Sequence, residues 1–507
     1  MSPSLKSNHQ ITPKILTTKP NILFILSDQH TPDVLGCYGD PIVRTPNLDR
    51  LARAGVMFEN AYTPSPICVP ARMSLLTGNF PFRQQCWTNS DALASDIPTA
   101  AHALGSVGYF PTLIGRLHAI GPDQLHGFAR REIGDHMTDW YGGRPYTMGV
   151  LDKAQRPFPE SLINSGPGQT SYELLDREVT HRTLQVLDEI AASRRAGDTR
   201  PFSLNVGFIL PHQPYVAQPD LFEYYLDKVE PPRLPRPNEP ADSYLVWWRR
   251  QTGLDKVNAA DEMRARVAYY AMVDTLDGML GLILDQLDTL GLAENTLIIY
   301  ASDHGDQLGE RGLWWKQTFY EQSVKVPLLM SWPGMLPAAT RRDQIVNLVD
   351  LTATIVQAAG ADPLPGIDGR SLLQLARNPD TEWDNKTFSE YCTDGMQAWS
   401  GGRVLQSRMI RTGPWKYNYY HGYPNQLFNL ADDPQEMRNL ADEPDYCDIA
   451  SDLVAELLQD WQPDQIDALI RHRNQCKSVL KAWAGQVQPP DTYRWETRME
   501  DNWLADK

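Results

Sequence analysis

Two polar pairs in this sequence carry the residue types from which a metal-dependent site is made. Asp28-Gln29 and Asp303-His304 each follow a short apolar run of the kind that forms a buried parallel strand. Because the carboxyl ends of parallel strands meet at one edge of a sheet, the two pairs are expected to lie together. Carboxylate, amide and imidazole groups gathered there would bind one hard divalent cation, whereas either pair alone could equally cap a following helix.

One cysteine lies in a segment suited to a second kind of chemistry. The sequence CVPAR at 68–72 is followed by LLTG at 75–78. Arg72 stands one helical turn after Cys68, where a guanidinium can hold an ionised nucleophile. The plain structural interpretation is a loop cysteine before a proline that starts a helix. A cysteine-dependent thiol hydrolase is another alternative, but it would need a neighbouring imidazole and no metal, and the acidic strand ends argue for a cation.

The segment 68–72, together with Thr77-Gly78, resembles the CxPxR-TG signature of the type I sulfatases, in the alkaline phosphatase superfamily. In that family a maturation enzyme recognises this segment and oxidises the cysteine to formylglycine. The resemblance therefore implies that Cys68 is modified to formylglycine, whose hydrated aldehyde has two hydroxyls. One hydroxyl attacks sulfur and expels the alcohol, and deprotonation of the other releases sulfate. The implied enzyme is a sulfuric ester hydrolase (sulfatase) acting on a small sulfated substrate.

The resemblance extends to the two polar pairs. The family has an acidic pair or Asp-Gln at the first position and Asp-Asn or Asp-His at the second, and the segment 302–310 is similar to its SDHGDxLGE motif. This implies one divalent cation (calcium, magnesium or manganese) that polarises the sulfate oxygens and lowers the pKa of the nucleophile. The implied metal ligands are Asp28, Gln29, Cys68, Asp303 and His304.

Further catalytic residues are implied by shorter motifs. GRLH at 115–118 stands in the place of the family's GKxH, with Arg116 where lysine is usual, so that a forked donor replaces a point charge. The resemblance implies that His118 accepts the proton from the modified residue. His212, in a PHxP segment, and Lys316 are implied to stabilise and protonate the departing alkoxide. Asn89 is implied to contact a substrate oxygen, as are Arg116, His212 and Lys316. Outside these motifs, an isolated histidine or lysine would be interpreted as a solvated surface residue.

The elements that must position these residues alternate between strands and helices. Apolar runs at Asn21–Ser27, Phe202–Leu210 and Leu297–Ala301 predict parallel strands. Helical patterns are found at Asn47–Ala54, Thr99–Ser106, Leu174–Ala192 and Asp261–Leu290. This alternation predicts an α/β fold. The resemblance makes it an alkaline-phosphatase-like fold, with a large, mixed, mostly parallel sheet flanked by helices.

From about Trp383 the pattern changes to short alternating stretches, which predict a smaller C-terminal α+β subdomain on an antiparallel sheet. Its predicted strands and helix are Arg403–Arg411, Trp415–Tyr420, Gln426–Asn429 and Asp448–Gln459. The predicted domains are a disordered leader at 1–19, a catalytic domain at 20–375, the subdomain at 376–476 and a tail at 477–507. The tail carries Trp483, Trp495 and Trp503, so we expect it to dock on the parent domain or on a neighbouring subunit of a homo-oligomer.

Composition excludes several classes of partner. The formal net charge of −16 disfavours nucleic acid, which requires a concentrated basic face. No run of about 18 apolar residues is found, which argues against a membrane span. The first 20 residues lack the apolar core of a signal peptide, and the six cysteines lack CxxC spacing, so we expect a cytoplasmic protein.

The closest alternative function is a phosphonate monoester hydrolase or phosphodiesterase of the same superfamily. Those enzymes share the nucleophile motif and the two metal-binding pairs, but uncharged Tyr and Thr resemble the positions held here by Arg116 and His118. Charged residues at these positions favour sulfate monoesters. Segments 121–128 and 310–314 resemble choline sulfatases, but no aromatic cage for a quaternary ammonium can be assigned from the sequence.

Overall fold

The computed structural model describes residues 19–393 and 404–505. Its centre is an eight-stranded sheet with the strand order β10-β2-β9-β8-β1-β6-β3-β4. Every neighbouring pair is parallel except the two made by β9, so the predicted mixed, mostly parallel sheet is confirmed. In chain order the strands are β1 Asn21–Ser27, β2 Val56–Tyr62, β3 Phe110–Gly115, β4 Arg130–Arg131, β6 Phe202–Gly207, β8 Thr296–Ser302, β9 Leu328–Ser331 and β10 Thr340–Asn347.

Helices cover both faces of the sheet, as the apolar residues on both of its faces require. They are α1 Pro46–Arg53, α2 Cys68–Thr77, α3 Pro81–Gln84, α4 Ala100–Ser106, α5 Glu160–Ile163, α6 Ser171–Arg195, α7 Pro219–Leu226, α8 Tyr244–Thr252, α9 Ala259–Thr289, α10 Glu321–Val324, α11 Val349–Ala358 and α12 Leu373–Arg377. The four helices predicted from the sequence correspond to α1, α4, α6 and α9.

Helix α9 is long and apolar enough to cross a membrane by length and composition alone, although the sequence has no uninterrupted run of about 18 apolar residues. Its most apolar window is 78% buried inside the fold, where it packs against α1, α6 and α7. The burial identifies α9 as a core helix.

The C-terminal part forms a separate antiparallel sheet of four strands, which confirms the predicted second sheet. Two helices follow the sheet. These elements are β11 Lys386–Cys392, β12 Gln406–Thr412, β13 Trp415–Tyr420, β14 Gln426–Asn429, α13 Cys447–Leu457 and α14 Pro463–Val487. A third, small sheet joins β15 Trp503–Leu504 to β5 Gly166–Gln169 and β7 Val216–Ala217.

Several predicted bounds differ from the structure. The strand predicted to reach Leu210 ends at Gly207, because the N–H groups of Ile209 and Leu210 donate to the side-chain oxygens of Asp176 rather than to a neighbouring strand. Arg403, the predicted start of a C-terminal strand, lies outside the described residues, as do residues 1–18 of the leader predicted at 1–19. The predicted tail at 477–507 begins within a helix: its first part continues α14, whose buried positions include Ile470, Lys477 and Ala484.

Candidate active site

The parallel strands end in register at one edge of the main sheet. Ser27 of β1 pairs with Ser302 of β8, so Asp28 and Asp303 leave the sheet side by side. On the other side of β1, strands β6 and β3 end together at Gly207 and Gly115. A Cβ atom on Gly207 would lie 1.9 Å from the carbonyl oxygen of Arg116, so glycine is needed for the close approach that brings Arg116 to this edge.

Cys68 is the first residue of α2, and all ten residues of that helix are buried. The first turn of a helix has N–H groups without helical partners, and the side chain of Asn89 accepts one of them, from Val69, at 2.9 Å. Asn89 thus caps the helix that carries Cys68. It also lines the adjoining cavity, where it was predicted to contact substrate.

Four side chains from three segments meet at the N-terminus of α2. The ligand atoms of Asp28, Cys68, Asp303 and His304 all lie within 4.8 Å of one another, and all four side chains are buried. The Nδ1 atom of His304 lies 3.1 Å from the carbonyl oxygen of Gly305, so it carries the proton and the lone pair of Nε2 faces the cluster. Two carboxylates and a neutral imidazole in a buried site are a donor set that fits a divalent cation.

Gln29 presents its side-chain oxygen to the same cluster. Its Nε2 atom donates to Asp306 Oδ2 at 2.5 Å and to Gln213 Oε1 at 2.7 Å. Because both donors of the amide point away, Oε1 is directed inward, where it accepts from Lys316 Nζ at 2.8 Å. The backbone of Gln29 has a φ of 70°, an unfavourable value for a non-glycine residue that often marks functional sites.

Arg72 holds the two acidic residues together. Its Nε donates to Asp303 Oδ2 at 2.8 Å and its Nη2 to Asp28 Oδ2 at 3.2 Å, and all three side chains are fully buried. Burial would raise the pKa of Asp28, but the positive charges of Arg116 and other nearby groups hold it well below its ordinary value. The structure therefore places Arg72 behind the two carboxylates, where it donates to them and to the backbone carbonyls of Arg116 and Ser27 rather than to Cys68.

Arg116 and His118 share a partner that the sequence did not reveal. Asp135 accepts from Arg116 Nη1 at 3.1 Å and from the backbone N–H of His118 at 3.0 Å. Arg116 also donates to Asp28 Oδ2 at 2.7 Å and to His118 Nδ1 at 2.8 Å. Burial, and then the charge of Arg116, lower the pKa of His118 well below its ordinary value, so the ring is neutral. The only local signal for Asp135 is that it follows the short strand β4.

Lys316 reaches the cluster from a loop fixed by its neighbours. Its Nζ lies 3.2 Å from Cys68 Sγ. The two preceding tryptophans, which are unusual beside a solvated lysine, are fully buried, and Trp315 donates to Ser161. Asp306, for which no role was predicted, accepts the backbone N–H of Trp315 at 3.1 Å and also holds Gln29.

His212 completes the group of predicted site residues. Its Nδ1 lies 2.6 Å from the carbonyl oxygen of Gln213, so Nε2 is the free nitrogen. Burial, and then the charge of Lys316, lower the pKa of His212 well below its ordinary value. The turn that carries His212 is fixed by Asp176, a buried residue of α6 that the sequence did not single out.

A cavity of about 300 Å³ opens above this cluster. Cys68, Arg116, His118 and His212 lie in its lining, so the cavity leads to the predicted nucleophile. Its walls are rich in aromatic side chains, among them Trp140, Tyr141, Tyr146, Tyr172 and Tyr391. The structure thus brings together every predicted site residue: the metal-binding group, the cations and Asn89 all lie at or beside this cavity.

The environment of Cys68 disfavours an unmodified thiol as nucleophile. His304 Nε2 lies 3.2 Å from Sγ, as a cysteine hydrolase would require. Burial, and then the negative charge of Asp28, however, raise the pKa of the Cys68 thiol to about 11. A thiol that stays protonated at neutral pH is a weak nucleophile, so the cysteine-dependent alternative is not supported.

A buried cysteine beside three side chains that could hold a cation, with several positive side chains nearby, fits a hydrolase of tetrahedral anions, and comparison with known proteins identifies the family. The family model described as Sulfatase matches residues 20–361, and the one described as N-sulphoglucosamine sulphohydrolase, C-terminal, matches residues 309–462. The chain belongs to the sulfatase family, which confirms the resemblance seen in the sequence. It is a sulfuric ester hydrolase by class.

Individual relatives agree with this assignment. The choline-sulfatase of Rhizobium meliloti (strain 1021) is 33% identical over 438 residues, which cover 84% of this chain and 83% of the relative. Arylsulfatase K of Rattus norvegicus is 29% identical over 513 residues, with coverages of 96% and 86%. The crystal structure of the phosphonate monoester hydrolase of Agrobacterium radiobacter superposes with a TM-score of 0.70 at 24% identity, covering 89% of this chain and 96% of that chain, and shows the shared fold.

Proposed function

We propose that this sulfatase hydrolyses small sulfate monoesters to an alcohol and sulfate, with residue 68 as a formylglycine and one divalent cation in the adjoining cluster. The observation that carries the proposal is the position of Cys68. Its side chain lies among Asp28, Asp303 and His304, within reach of Lys316, at the inner end of the cavity. A nucleophile, a cation site and an entry path are thereby combined at one point.

Asp28, Gln29, Asp303, His304 and residue 68 would hold the cation. Bound there, the cation and the hydrated aldehyde supply a Lewis acid for the sulfate oxygens and an oxygen nucleophile for sulfur. The oxygen-rich donor set suits calcium or magnesium, and the imidazole of His304 also admits manganese. Arg72 donates a hydrogen bond to each of the two carboxylates and so holds them in place.

Two cations, Arg116 and Lys316, stand beside the position proposed for the sulfate group, and Arg72 lies behind the carboxylates. Arg116 and Lys316 approach Asp28 from different sides, with the Lys316 ammonium 3.9 Å and the Arg116 guanidinium 2.7 Å from its oxygens. Together with Arg72 they match the charges of three carboxylates, Asp28, Asp135 and Asp303, so a bound divalent cation would leave the pocket positive in a chain of strongly negative net charge. Such preorganised charges stabilise the charge that develops on sulfate and on the leaving oxygen.

The proton transfers are assigned to three residues. His212 is neutral, and its Nδ1 donates to the Gln213 carbonyl, so it contributes an acceptor at Nε2. The Lys316 ammonium is therefore the donor that protonates the departing alkoxide. His118 stays the proposed acceptor of the proton from residue 68, and Asn89 the donor to a substrate oxygen.

The alcohol part of the substrate would occupy the aromatic walls of the cavity. A relative at 33% identity is a choline-sulfatase, and aromatic faces bind quaternary ammonium groups as well as planar rings. We therefore propose choline sulfate and small aryl sulfates as the first substrates to assay. We further propose a cytoplasmic homo-oligomer that is matured by a formylglycine-generating enzyme.

The test is peptide mass spectrometry combined with an activity assay. Trypsin should release residues 54–72 as one peptide that contains Cys68. Protein co-produced with the maturation enzyme should show the aldehyde in this peptide and turn over sulfate esters, whereas protein produced without it should show the thiol and little activity. Full activity in protein that carries only the free thiol would contradict the proposal.

A further inference from the structure

One loop forms a large part of the cavity wall. Residues 134–146 contribute several lining residues, including His136, Met137, Trp140 and Tyr146. The same loop contains Asp135, which holds Arg116 and His118. The position of this loop therefore sets both the shape of the cavity and the orientation of two proposed catalytic residues.

The loop contains neither helix nor strand. A loop of this kind gains little stability from its own backbone, and fixing each residue in one conformation costs about 1–2 kcal/mol of entropy. Its order must therefore come from the groups that pack against it.

Those groups come from the end of the chain. The backbone N–H of Trp495 donates to the carbonyl oxygen of Asp135 at 2.8 Å. Asp491 Oδ1 accepts from the hydroxyl of Thr138 at 2.8 Å and from the N–H of Asp139 at 2.9 Å. We call residues 488–505 the C-terminal strap. The strap supplies hydrogen-bond partners to a loop that has none from a helix or strand of its own.

The strap and the loop also fit closely. A Cβ atom on Gly134 would lie 1.3 Å from the carbonyl oxygen of Tyr493, so no larger residue fits there unless the strap moves away. The ring of Tyr493 lies 5.4 Å from the guanidinium carbon of Arg131, a buried residue of β4. The strap therefore makes both its close contact and its hydrogen bonds at the same part of the loop.

Both ends of the strap are anchored. At its start, Trp483 of α14 packs edge-on against Trp140 of the loop, with ring centroids 5.2 Å apart. At its end, Asn502 accepts the N–H of Ser171 at 2.8 Å, and β15 pairs with β5. The strap is thus stretched across the loop between two fixed points.

We propose that the C-terminal strap determines which alcohols the enzyme accepts, because it holds residues 134–146 in place as the wall of the substrate cavity. This inference rests on the proposed function, since the alcohol is assigned to that cavity. If the wall moves outward, it loses contact with a large alcohol group, and the KM for that ester rises. The KM for an ester whose alcohol is too small to reach the wall changes little. The strap residues act through the loop and are positioning residues.

The test uses two variants with matched controls. Gly134→Ala places a methyl group against Tyr493, and Gly485→Ala adds the same group on α14, where nothing lies within 4 Å. Asp491→Ala removes two hydrogen bonds to the loop without adding bulk, and Glu500→Ala removes an exposed carboxylate from the same strap. Steady-state kinetics on 4-nitrophenyl sulfate and ethyl sulfate are compared with hydrogen exchange of the peptides covering 134–146.

Gly134→Ala and Asp491→Ala should raise KM for 4-nitrophenyl sulfate about tenfold and KM for ethyl sulfate by less than about threefold. Both should speed hydrogen exchange in 134–146, and neither control should do so. Equal increases in KM for the two esters, or unchanged exchange in the loop, would overturn the proposal; KM is compared because displacement of Asp135, which holds Arg116 and His118, would lower kcat for both esters. Wild-type protein without sulfatase activity would instead contradict the proposed function, and the exchange measurement would still decide whether the strap holds the loop. If Gly134→Ala does not fold, Asp491→Ala alone decides the result.

Discussion

The Nη2 atom of Arg116 lies 2.8 Å from Nδ1 of His118. A guanidinium can only donate, so Nδ1 is the acceptor and the proton of the neutral imidazole lies on Nε2. In this arrangement His118 presents a donor through Nε2. It can take a proton from residue 68 only when Arg116 releases Nδ1, which links the proposed base to the residue that replaces the family's lysine.

Arg116→Ala should discriminate between two kinds of substrate. Its guanidinium adds positive charge where a sulfate monoester concentrates negative charge, whereas a phosphodiester spreads bulk to both sides. Loss of such a contact costs a few kcal/mol, so kcat/KM for an aryl sulfate should fall about a hundredfold and that for an aryl phosphonate with the same leaving group should fall less. Arg200→Ala, at an exposed arginine, is the control. Equal losses on both substrates would show that Arg116 does not select sulfate.

Substitutions of Cys68 distinguish the attack on sulfur from the later release of sulfate. Cys68→Ala should abolish turnover, since it leaves no group to attack sulfur. Cys68→Ser retains one hydroxyl, so it should release at most one equivalent of alcohol and then remain sulfated. Rapid-quench measurement of alcohol per protein distinguishes these outcomes, with Cys476→Ala, at an exposed cysteine, as the control. Repeated turnover by the serine variant would refute the need for a second hydroxyl.

Metal binding should depend on Asp303. Its Oδ2 pairs with Arg72 and its Oδ1 accepts two backbone N–H groups, so Asp303→Asn changes charge at a fixed position. Calorimetric titration with manganese or calcium should show an affinity at least about tenfold lower, and a chelator should remove the activity of the wild type. Asp285→Asn, at an exposed carboxylate, should bind metal normally. A metal-free wild type with full turnover would contradict the cation site.

The buried carboxyl of Asp176 should make stability depend on pH. Burial raises its pKa from 3.8 to about 8. Because the folded pKa is raised, this carboxyl supports the fold fully below pH 3.8 and loses that contribution as pH rises through about 8. Asparagine is uncharged, as the protonated carboxyl is. In the wild type the urea concentration at the midpoint of unfolding should fall between about pH 5 and about pH 8.5, and in Asp176→Asn it should fall less. Asp188→Asn, exposed on the same helix, should keep the wild-type slope, and an equal slope in both variants would contradict the assignment.

The sequence was informative where chemistry is encoded locally. The strands that carry Asp28 and Asp303 are continuous apolar runs, which identify a strand buried on both faces without knowledge of its neighbours. The residues around Cys68 form a short contiguous motif. In both cases the signal lies within about ten residues, so it could be read directly.

Contacts between distant segments could not be predicted in this way. Asp135 reaches His118 across 17 residues of chain, and the strap reaches the cavity loop across more than 350. Asp176 lies in the second turn of a long helix, where an acidic residue normally faces solvent. Nothing in hydrophobic periodicity or residue type distinguishes these carboxylates from surface ones, because their role depends on the tertiary structure that brings the partners together.

The burial of Cys68 has a consequence for the order of events during synthesis. The side chain is 1% exposed, and Lys316, which covers it, follows 248 residues later in the chain. At about 5–20 residues per second, a ribosome needs roughly 10–50 s to make that interval. A maturation enzyme that converts Cys68 would therefore have to act before the chain folds around it, and this interval is the minimum time before Lys316 can take its place. The yield of active protein would then depend on the speed of translation, and synonymous codons between positions 68 and 316 would influence it without altering any residue.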